Sequence, residues 1–172
     1  MNKTNWVALE PEALENAMKL IGKDWMLITA KDDRNGRVNG MTASWGCLGV
    51  LWNKPVCVCF IRPQRHTYGL VEAQDRFSLA FFGEEHRAAL RLCGRESGRD
   101  GDKLAAAGLT ASELCGVSVI NEARLVLICR KLYADDLKKD RFVDPALFAH
   151  YPQDDFHRMY VCEIEGAYRA AE

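Results

Sequence analysis

Short strand-like runs separated by turn residues are the feature that most restricts the fold of this chain. Asn35-Gly36 is the dipeptide most typical of a tight hairpin, and Lys54-Pro55 interrupts a later run. Apolar and β-branched residues fill the stretches between such signals. The predicted strands are WMLITAK (25–31), the run from 39 to 52, VCVCFIRP (56–63), RFSLAFFG (76–83), ARLVLICRKLYADDL (123–137) and HRMYVCEIEGAYRA (157–170).

Helices are predicted between these strands and are all short. Pro11 and Gly22 bracket PEALENAMKLIG (11–22), which has apolar residues at helical spacing. Further helices are expected at HTYGLVEAQ (66–74), at EEHRAALRLCG (84–94) and in the alanine-rich stretch that ends at Gly108. Several strands with scattered short helices favour a closed or nearly closed barrel.

Length and composition predict one ordinary globular domain that spans residues 1–172. The net charge of −1 gives no electrostatic reason to expect nucleic acid or an anionic membrane as a partner. We see no signal-peptide pattern and no run of about 18 apolar residues. Seven cysteines without a framework spacing or a CxxC pair predict reduced thiols, a cytoplasmic location and no metal site. Cys57 and Cys59 share one strand face and are expected to be small buried apolar residues.

The segment NGMTASWGCLGVLWNKP (39–55) is unusual for a strand because it combines three glycines with hydroxyl residues and two tryptophans. Glycine weakens a strand unless a bulge, another backbone or a ligand approaches closely. We therefore interpret this segment as shaped around a ligand, with Thr42 and Ser44 as hydrogen-bonding groups.

Two further segments have the composition of anion-binding sites. RPQRHTY (62–68) places arginines between a strand and a helix, and SGRDGDK (97–103) places Ser97, Arg99 and Lys103 before another helix. Helix N-termini with nearby guanidinium groups bind phosphates. For each segment alone, a merely solvated surface remains the alternative. Walker and GxGxxG motifs are absent, so no standard nucleotide-binding fold is indicated.

Taken in order, NGMTASW, NKPVCVCFIRPQRHTY, FSLAFF, CGRESGRDGDKLAAAGLT and HRMYVCEIE resemble the flavin reductase-like, FMN-binding split-barrel family, specifically its flavoredoxin-like branch. The resemblance extends from about Ile28 to Tyr168. It implies a mainly β fold with peripheral helices: a six-stranded antiparallel Greek-key split β-barrel. It also implies a homodimer that holds one FMN per subunit near the dimer interface.

The resemblance assigns roles to specific residues of this chain. Asn39 would hydrogen-bond the flavin, the segment from Met41 to Ser44 would contact the ring, and Trp45 would pack near it. The ribityl-phosphate side would be held by Arg62, Thr67, Ser97, Gly98, Arg99 and Lys103. His157 is a weaker assignment, as an auxiliary group near the flavin or the pyridine nucleotide, and an ordinary strand-surface histidine is its alternative. His86 and His150 receive no role.

The function that follows is an FMN-dependent oxidoreductase, in which NAD(P)H reduces the flavin at N5 and the flavin reduces another flavin or acceptor. No side-chain nucleophile is required. An FMN-containing electron carrier without its own NAD(P)H site, and a barrel that has lost its cofactor, remain alternatives. We expect Lys103→Ala or Arg62→Ala to weaken FMN binding about 10- to 150-fold. Riboflavin binding and apo-protein stability should hardly change, on the assumption that both charges are exposed.

Overall fold

The computed structural model describes residues 4–14 and 16–171 of the chain. These residues form ten strands, and their bounds are β1 Trp6–Leu9, β2 Met26–Lys31, β3 Val38–Ala43, β4 Gly46–Leu51, β5 Lys54–Ile61, β6 Arg76–Phe81, β7 Ala111–Leu114, β8 Val117–Ile120, β9 Leu125–Asp136 and β10 Arg158–Ala170. The α-helices are α1 Ala17–Lys19, α2 His66–Ala73, α3 Arg87–Arg95 and α4 Lys103–Ala106. A π-helical turn, Leu20–Asp24, continues α1, and four 3-10 turns complete the set: Pro11–Ala13, Glu84–His86, Lys139–Arg141 and Pro145–His150.

The main sheet is antiparallel and has the strand order β3-β2-β6-β9-β10-β5-β4, with β1 added to β10. Its two edges, β3 and β4, are consecutive in the chain and are separated only by Ser44 and Trp45. The sheet therefore curves into a barrel whose edges do not pair among the described residues. The mainly β split-barrel prediction is confirmed, with eight strands in the main sheet rather than the expected six.

Two apolar cores lie on opposite faces of this sheet. Side chains alternate along β2, so Met26 and Ile28 join the core inside the barrel while Leu27 joins a second core. The second core is formed with α3, α4 and β8, and its members include Leu90 and Leu104. Packing on both faces explains why β2, β6 and β9 read as nearly continuous apolar runs.

The segment from 39 to 52, predicted as one strand, is two strands divided at Ser44–Trp45. Steric contact explains one of its glycines: a Cβ at Gly46 would lie 2.6 Å from the backbone oxygen of Val58. Another is explained by packing, because a Cβ at Gly40 would lie 2.8 Å from Cδ2 of Leu27. Protein packing therefore accounts for glycines that the sequence analysis attributed to a ligand.

Other differences concern short elements. The helix predicted for 11–22 is a 3-10 turn followed by α1 and a π-helical turn that runs past Gly22 to Asp24, and position 15 lies outside the described residues. The hairpin β7–β8 was not predicted. Its turn residues Cys115 and Gly116 both have positive φ, 51° and 76°, as a two-residue hairpin of this hand requires.

Five of the seven cysteines are buried: Cys57, Cys59, Cys93, Cys129 and Cys162. Cys57 and Cys59 both lie in the core inside the barrel, as their shared strand face predicted. The seven thiols are free, and Cys57 Sγ lies 3.4 Å from Cys129 Sγ.

Within the described part of the chain, no helix has the length and apolar character needed to cross a membrane.

Candidate functional site

A cleft of about 180 Å³ lies where the two edges of the barrel separate. It is lined by the end of β3, the Ser44–Trp45 connection, the end of β5 and the start of β10; the residues are Met41, Thr42, Ala43, Ser44, Trp45, Phe60, Arg62, Arg65 and His157. The chain forms a cleft here because β3 and β4 diverge immediately at this connection. Seven of the thirteen residues expected from the sequence line it, and Phe60 and Arg65 are additions.

Aromatic rings form one wall of the cleft. The Trp45 ring lies 5.1 Å from the ring of His157 and 5.3 Å from that of His150. Trp45 is 42% exposed, and Phe60 contacts the other side of His157 at 6.4 Å. Such a surface offers flat apolar area to a planar ligand.

His157 is buried and neutral at pH 7. Its Nδ1 lies 2.9 Å from the Tyr151 hydroxyl, so that hydroxyl fixes the orientation of the ring. Burial, assisted by the positive charge of Arg62, lowers the pKa of His157 to about 4. The imidazole therefore contributes a hydrogen-bonding group to the cleft rather than a charge.

The loop between β9 and β10 forms the outer side of the cleft. Four aromatic side chains hold this loop together through ring contacts of 4.7 to 5.8 Å: Phe142, Phe148, Tyr151 and Phe156. No role was predicted from the sequence for this segment or for His150. The sequence feature that could have indicated this cluster is the spacing of its aromatic residues across a loop that contains Pro145 and Pro152.

Arg62 is half-buried and already has protein partners. Its Nη1 donates to Asp155 in a short ion pair, and its Nη2 donates to the His150 carbonyl at 2.8 Å. The guanidinium holds the pKa of the Asp155 carboxyl below its usual range. Arg62 thus connects the outer loop to the cleft, and part of its charge is balanced within the protein.

Arg65 and Lys103 meet the C-terminal carbonyls of α3, which lack intrahelical donors. Arg65 Nη1 donates to Gly94 O at 2.8 Å. Lys103 Nζ donates to Cys93 O and to Glu96 O, both at 3.0 Å. Two cations therefore neutralise the negative end of this helix and fix it beside the cleft.

The assumption that Lys103 is an exposed charge is wrong. Lys103 is 5% exposed, and burial, together with the nearby positive charge of Arg65, lowers its pKa to about 8. The sequence DGDKLAAAG reads as polar surface, but α4 turns this side chain toward α3. Because the ammonium is buried, removing its charge is expected to change the stability of the apo-protein.

A second, small polar cavity of about 30 Å³ is lined by three of the six predicted residues that do not line the cleft. Asn39, Gly98 and Lys103 line it together with His66. A Cβ at Gly98 would lie 2.2 Å from Asn39 Oδ1, so only glycine allows this close approach. The carboxylates of Asp32 and Asp102 line this cavity as well, so its lining is not purely cationic.

The last three predicted residues line neither cavity. Thr67 is 1% exposed, and its hydroxyl accepts a hydrogen bond from Asn39 Nδ2 at 2.8 Å. Ser97 and Arg99 lie in the loop before α4, where Arg99 Nη1 donates to Gln64 O at 3.0 Å.

Hydroxyl groups within the cleft differ in their availability. Thr42 Oγ1 donates to Leu90 O at 2.6 Å, which attaches β3 to α3 and uses its only proton. The Ser44 hydroxyl has no hydrogen-bond partner among the described residues. A flat aromatic wall, a free hydroxyl, a neutral imidazole and two guanidinium groups fit a planar heteroaromatic ligand that carries an anionic substituent.

Comparison with known proteins identifies relatives of this arrangement. The family model described as "Flavin reductase like domain" matches residues 18–172. An FMN-binding domain of a flavin reductase-like enzyme from Shewanella baltica OS155 has a TM-score of 0.70 and 17% identity, with 99% of this chain and 80% of that chain covered. Flavoredoxin from Methanosarcina acetivorans has a TM-score of 0.63 and 23% identity, with 85% and 68% covered.

The styrene monooxygenase flavin reductase from Pseudomonas putida S12 has a TM-score of 0.61 and 12% identity, with 84% of this chain and 78% of that chain covered. No curated protein matches the chain. At these identities the solved structures show a shared fold.

Proposed function

The chain belongs to the flavin reductase-like family, and we propose that it is an FMN-binding oxidoreductase that passes electrons from NAD(P)H to a flavin or another acceptor. The observation that carries this proposal is the cleft at the split of the barrel. It combines aromatic, hydroxyl and guanidinium groups, and most of them belong to the residues that the family resemblance assigns to the flavin.

In this proposal Trp45 and the backbone of Met41–Ser44 would hold the isoalloxazine ring, and the Ser44 hydroxyl would be available to hydrogen-bond it. A bound flavin supplies hydride and electron transfer at N5, which no side chain of the protein provides. The protein orients the ring, excludes water from one of its faces and supplies the hydrogen-bonding groups around it.

The phosphate site of this proposal lies at the N-terminus of α2. Arg62 and Arg65 line the cleft there, and helix N-termini favour anions. Lys103 Nζ already donates to Cys93 O and Glu96 O and does not line the cleft, so a direct contact from Lys103 to the phosphate needs this arrangement to change. Asn39 and Thr67 join β3 to the N-terminus of α2 through their mutual hydrogen bond.

His157 would be an auxiliary group in this mechanism. Because its pKa is about 4, the ring stays neutral while it shares a hydrogen bond with Tyr151. We propose that His157, which contacts Trp45 and Phe60, would supply a hydrogen-bonding group beside a bound flavin or the pyridine nucleotide. A neutral imidazole can hold a proton at a fixed atom without repelling the arginines beside it.

The function is tested by anaerobic stopped-flow reduction of the FMN-loaded protein, followed at the visible flavin band. Mixing with NADH or NADPH should bleach the band in a saturable, protein-dependent reaction. If neither nucleotide reduces the bound flavin while a reduced protein carrier does, the chain is an electron carrier of the flavoredoxin kind. If no flavin binds, the proposal fails at its first step.

We also propose a homodimer in the cytoplasm. Strand β4 pairs only with β5 among the described residues. Val50 and Leu51 at its end are 79% and 41% exposed, and Trp52 in the turn that follows is 56% exposed. A second copy would cover this apolar edge, which continues into the cleft at Trp45. The free thiols support a reducing compartment.

The dimer is tested by light scattering at micromolar concentration. The flavin-loaded protein should have twice the mass of one chain, and Val50→Asp should shift it toward the monomer. Glu84→Gln, at an exposed position remote from β4 in the chain, is the control. A flavin-loaded monomer for the parent would contradict the proposal.

A further inference from the structure

The two guanidinium groups that line the cleft have partners of different kinds. Arg65 donates to main-chain carbonyls at the end of α3, which carry no net charge. Arg62 donates through Nη1 to the carboxylate of Asp155 and through Nη2 to His150 O at 2.8 Å. Both terminal nitrogens of Arg62 are therefore bound by the outer loop, residues 137–157, which connects β9 to β10.

A phosphate group in the cleft would need the same nitrogens of Arg62. Guanidinium groups recognise phosphates through two parallel N–H···O bonds, and both terminal nitrogens of Arg62 already donate to the outer loop. The carboxyl of Asp155 is charged at neutral pH, because its hydrogen bond from Arg62 holds its pKa below the usual range. Two anions beside one guanidinium repel each other. The phosphate and the Asp155 carboxylate therefore exclude each other at Arg62.

The carboxylate of Asp155 is incompletely hydrogen-bonded where it lies. Its Oδ2 accepts from Arg62 and from Gln64 Nε2, the latter at 2.7 Å. Its Oδ1 is buried and has no hydrogen-bond partner among the described residues. Burial of an unpartnered carboxylate oxygen costs free energy, which is recovered when the group turns toward water. A phosphate has three acceptor oxygens and the larger charge, so it can replace Asp155 at Arg62.

We propose that Asp155 is a specificity-determining residue that competes with the FMN phosphate for Arg62. This role rests on the proposed function, because it takes Arg62 as a phosphate ligand. FMN binding exchanges the ion pair of Asp155 for an ion pair of the phosphate, so the phosphate contributes less affinity than it would with a free guanidinium. Asp155 thereby lowers the preference for FMN over riboflavin. It also speeds the release of FMN, because its carboxylate returns to Arg62 as the phosphate leaves.

The competition is tested by fluorescence titration of the parent and Asp155→Asn with FMN and with riboflavin. Asparagine keeps the shape of the side chain and an acceptor for Gln64, but it lacks the charge. Asp155→Asn should bind FMN about 3- to 10-fold more tightly, since a charge-assisted hydrogen bond is about twice as strong as a neutral one. Riboflavin has no phosphate, so its affinity should stay unchanged. FMN release, followed by stopped flow, should be slower in the variant.

Asp154→Asn is the matched control. Asp154 precedes Asp155 in the same loop, and its carboxylate pairs with Lys139 Nζ at 2.9 Å. The control removes the same charge from the same loop and keeps the Arg62 ion pair, so its FMN affinity should match that of the parent. In the Arg62→Ala background, Asp155→Asn should no longer tighten FMN, because Asp155 acts only through Arg62.

A measurement on the parent protein needs no variant at Asp155. The pKa of the Asp155 carboxyl, followed by carboxyl NMR, should rise toward its ordinary value of 3.8 when FMN is added, because the phosphate takes its partner. A pKa that stays low in the FMN complex would show that Asp155 keeps Arg62, and it would overturn the inference.

The titrations can overturn it as well. Weaker FMN binding by Asp155→Asn means that Asp155 positions Arg62 for the phosphate, and unchanged binding means that the two anions do not compete. Equal tightening of FMN and riboflavin, or an equal effect of Asp154→Asn, means that the variant acts through the loop or through general charge. Each of these results leaves FMN binding by the parent, and hence the proposed function, intact. If the parent binds no FMN, the proposed function fails and the role of Asp155 fails with it.

Discussion

The buried ammonium of Lys103 gives a quantitative prediction for stability against pH. The pKa of Lys103 is about 8 in the folded protein, against an ordinary value of 10.5. The unfolded chain therefore binds more protons between these two values, and stability rises as pH increases through this window. The difference corresponds to about 3 kcal/mol at full deprotonation.

Lys103→Met keeps most of the side-chain volume and removes the charge. At pH 7 two effects oppose each other: the variant avoids the burial of a charge, at about 3 kcal/mol, but leaves Glu96 O without its donor, which costs about 1–3 kcal/mol. Cys93 O keeps a weaker contact from Arg65 at 3.4 Å. The variant should therefore be close to the parent at pH 7, and about 1–3 kcal/mol less stable at pH 10.

The assay is urea denaturation of the apo-protein at pH 7, 8, 9 and 10, with the difference between parent and variant as the measured quantity. Taking the difference removes the contributions of other groups that titrate in this range. Lys23→Met, at an exposed position, is the control and should follow the parent. Parallel curves for the parent and Lys103→Met would refute the burial of a charged ammonium.

Three further predictions follow. The pKa of His157 is about 4 in the folded protein, against an ordinary value of 6.5, so stability should fall by at most about 3 kcal/mol as pH drops from 6.5 to 4. This loss should be absent from the acid denaturation of His157→Gln. Gly46→Ala places a Cβ 2.6 Å from Val58 O and should lower the free energy of unfolding by about 1–3 kcal/mol in urea denaturation. Gly49→Ala in the same strand is the control, because a Cβ there meets open space. Equal effects of the two substitutions would contradict the packing argument. Arg62→Ala should weaken FMN about 10-fold or more by fluorescence titration while riboflavin is little affected; an equal loss for both ligands would mean that Arg62 acts through the outer loop instead.

Alternation and turn signals were sufficient to predict most of the sheet. The WMLITAK run became β2, and the two long late runs became β9 and β10, because strands packed on both faces leave continuous apolar stretches. The division of the run from 39 to 52 into β3 and β4 was not predictable from the same signals. Ser44 and Trp45 interrupt an otherwise strand-like segment without proline or glycine between them, and the division depends on barrel curvature.

The candidate site was predicted in part for a similar reason. Residues next to each other in the chain, such as Met41–Trp45, stayed together in the cleft. Lys103 and Gly98 depended on how a loop folds back on Asn39, and local composition contains no information about that contact. The role of Asp155 as the partner of Arg62 was equally hidden, because the two are 93 positions apart.

FMN binding in the cleft is tested by flavin titration of the purified protein. We expect a yellow protein with one FMN per chain, in which the fluorescence of the bound flavin is quenched by Trp45 and the flavin is lost more readily in Arg65→Ala than in the control Glu84→Gln. A colourless protein that does not take up added FMN, or one that binds riboflavin as tightly as FMN, would contradict it.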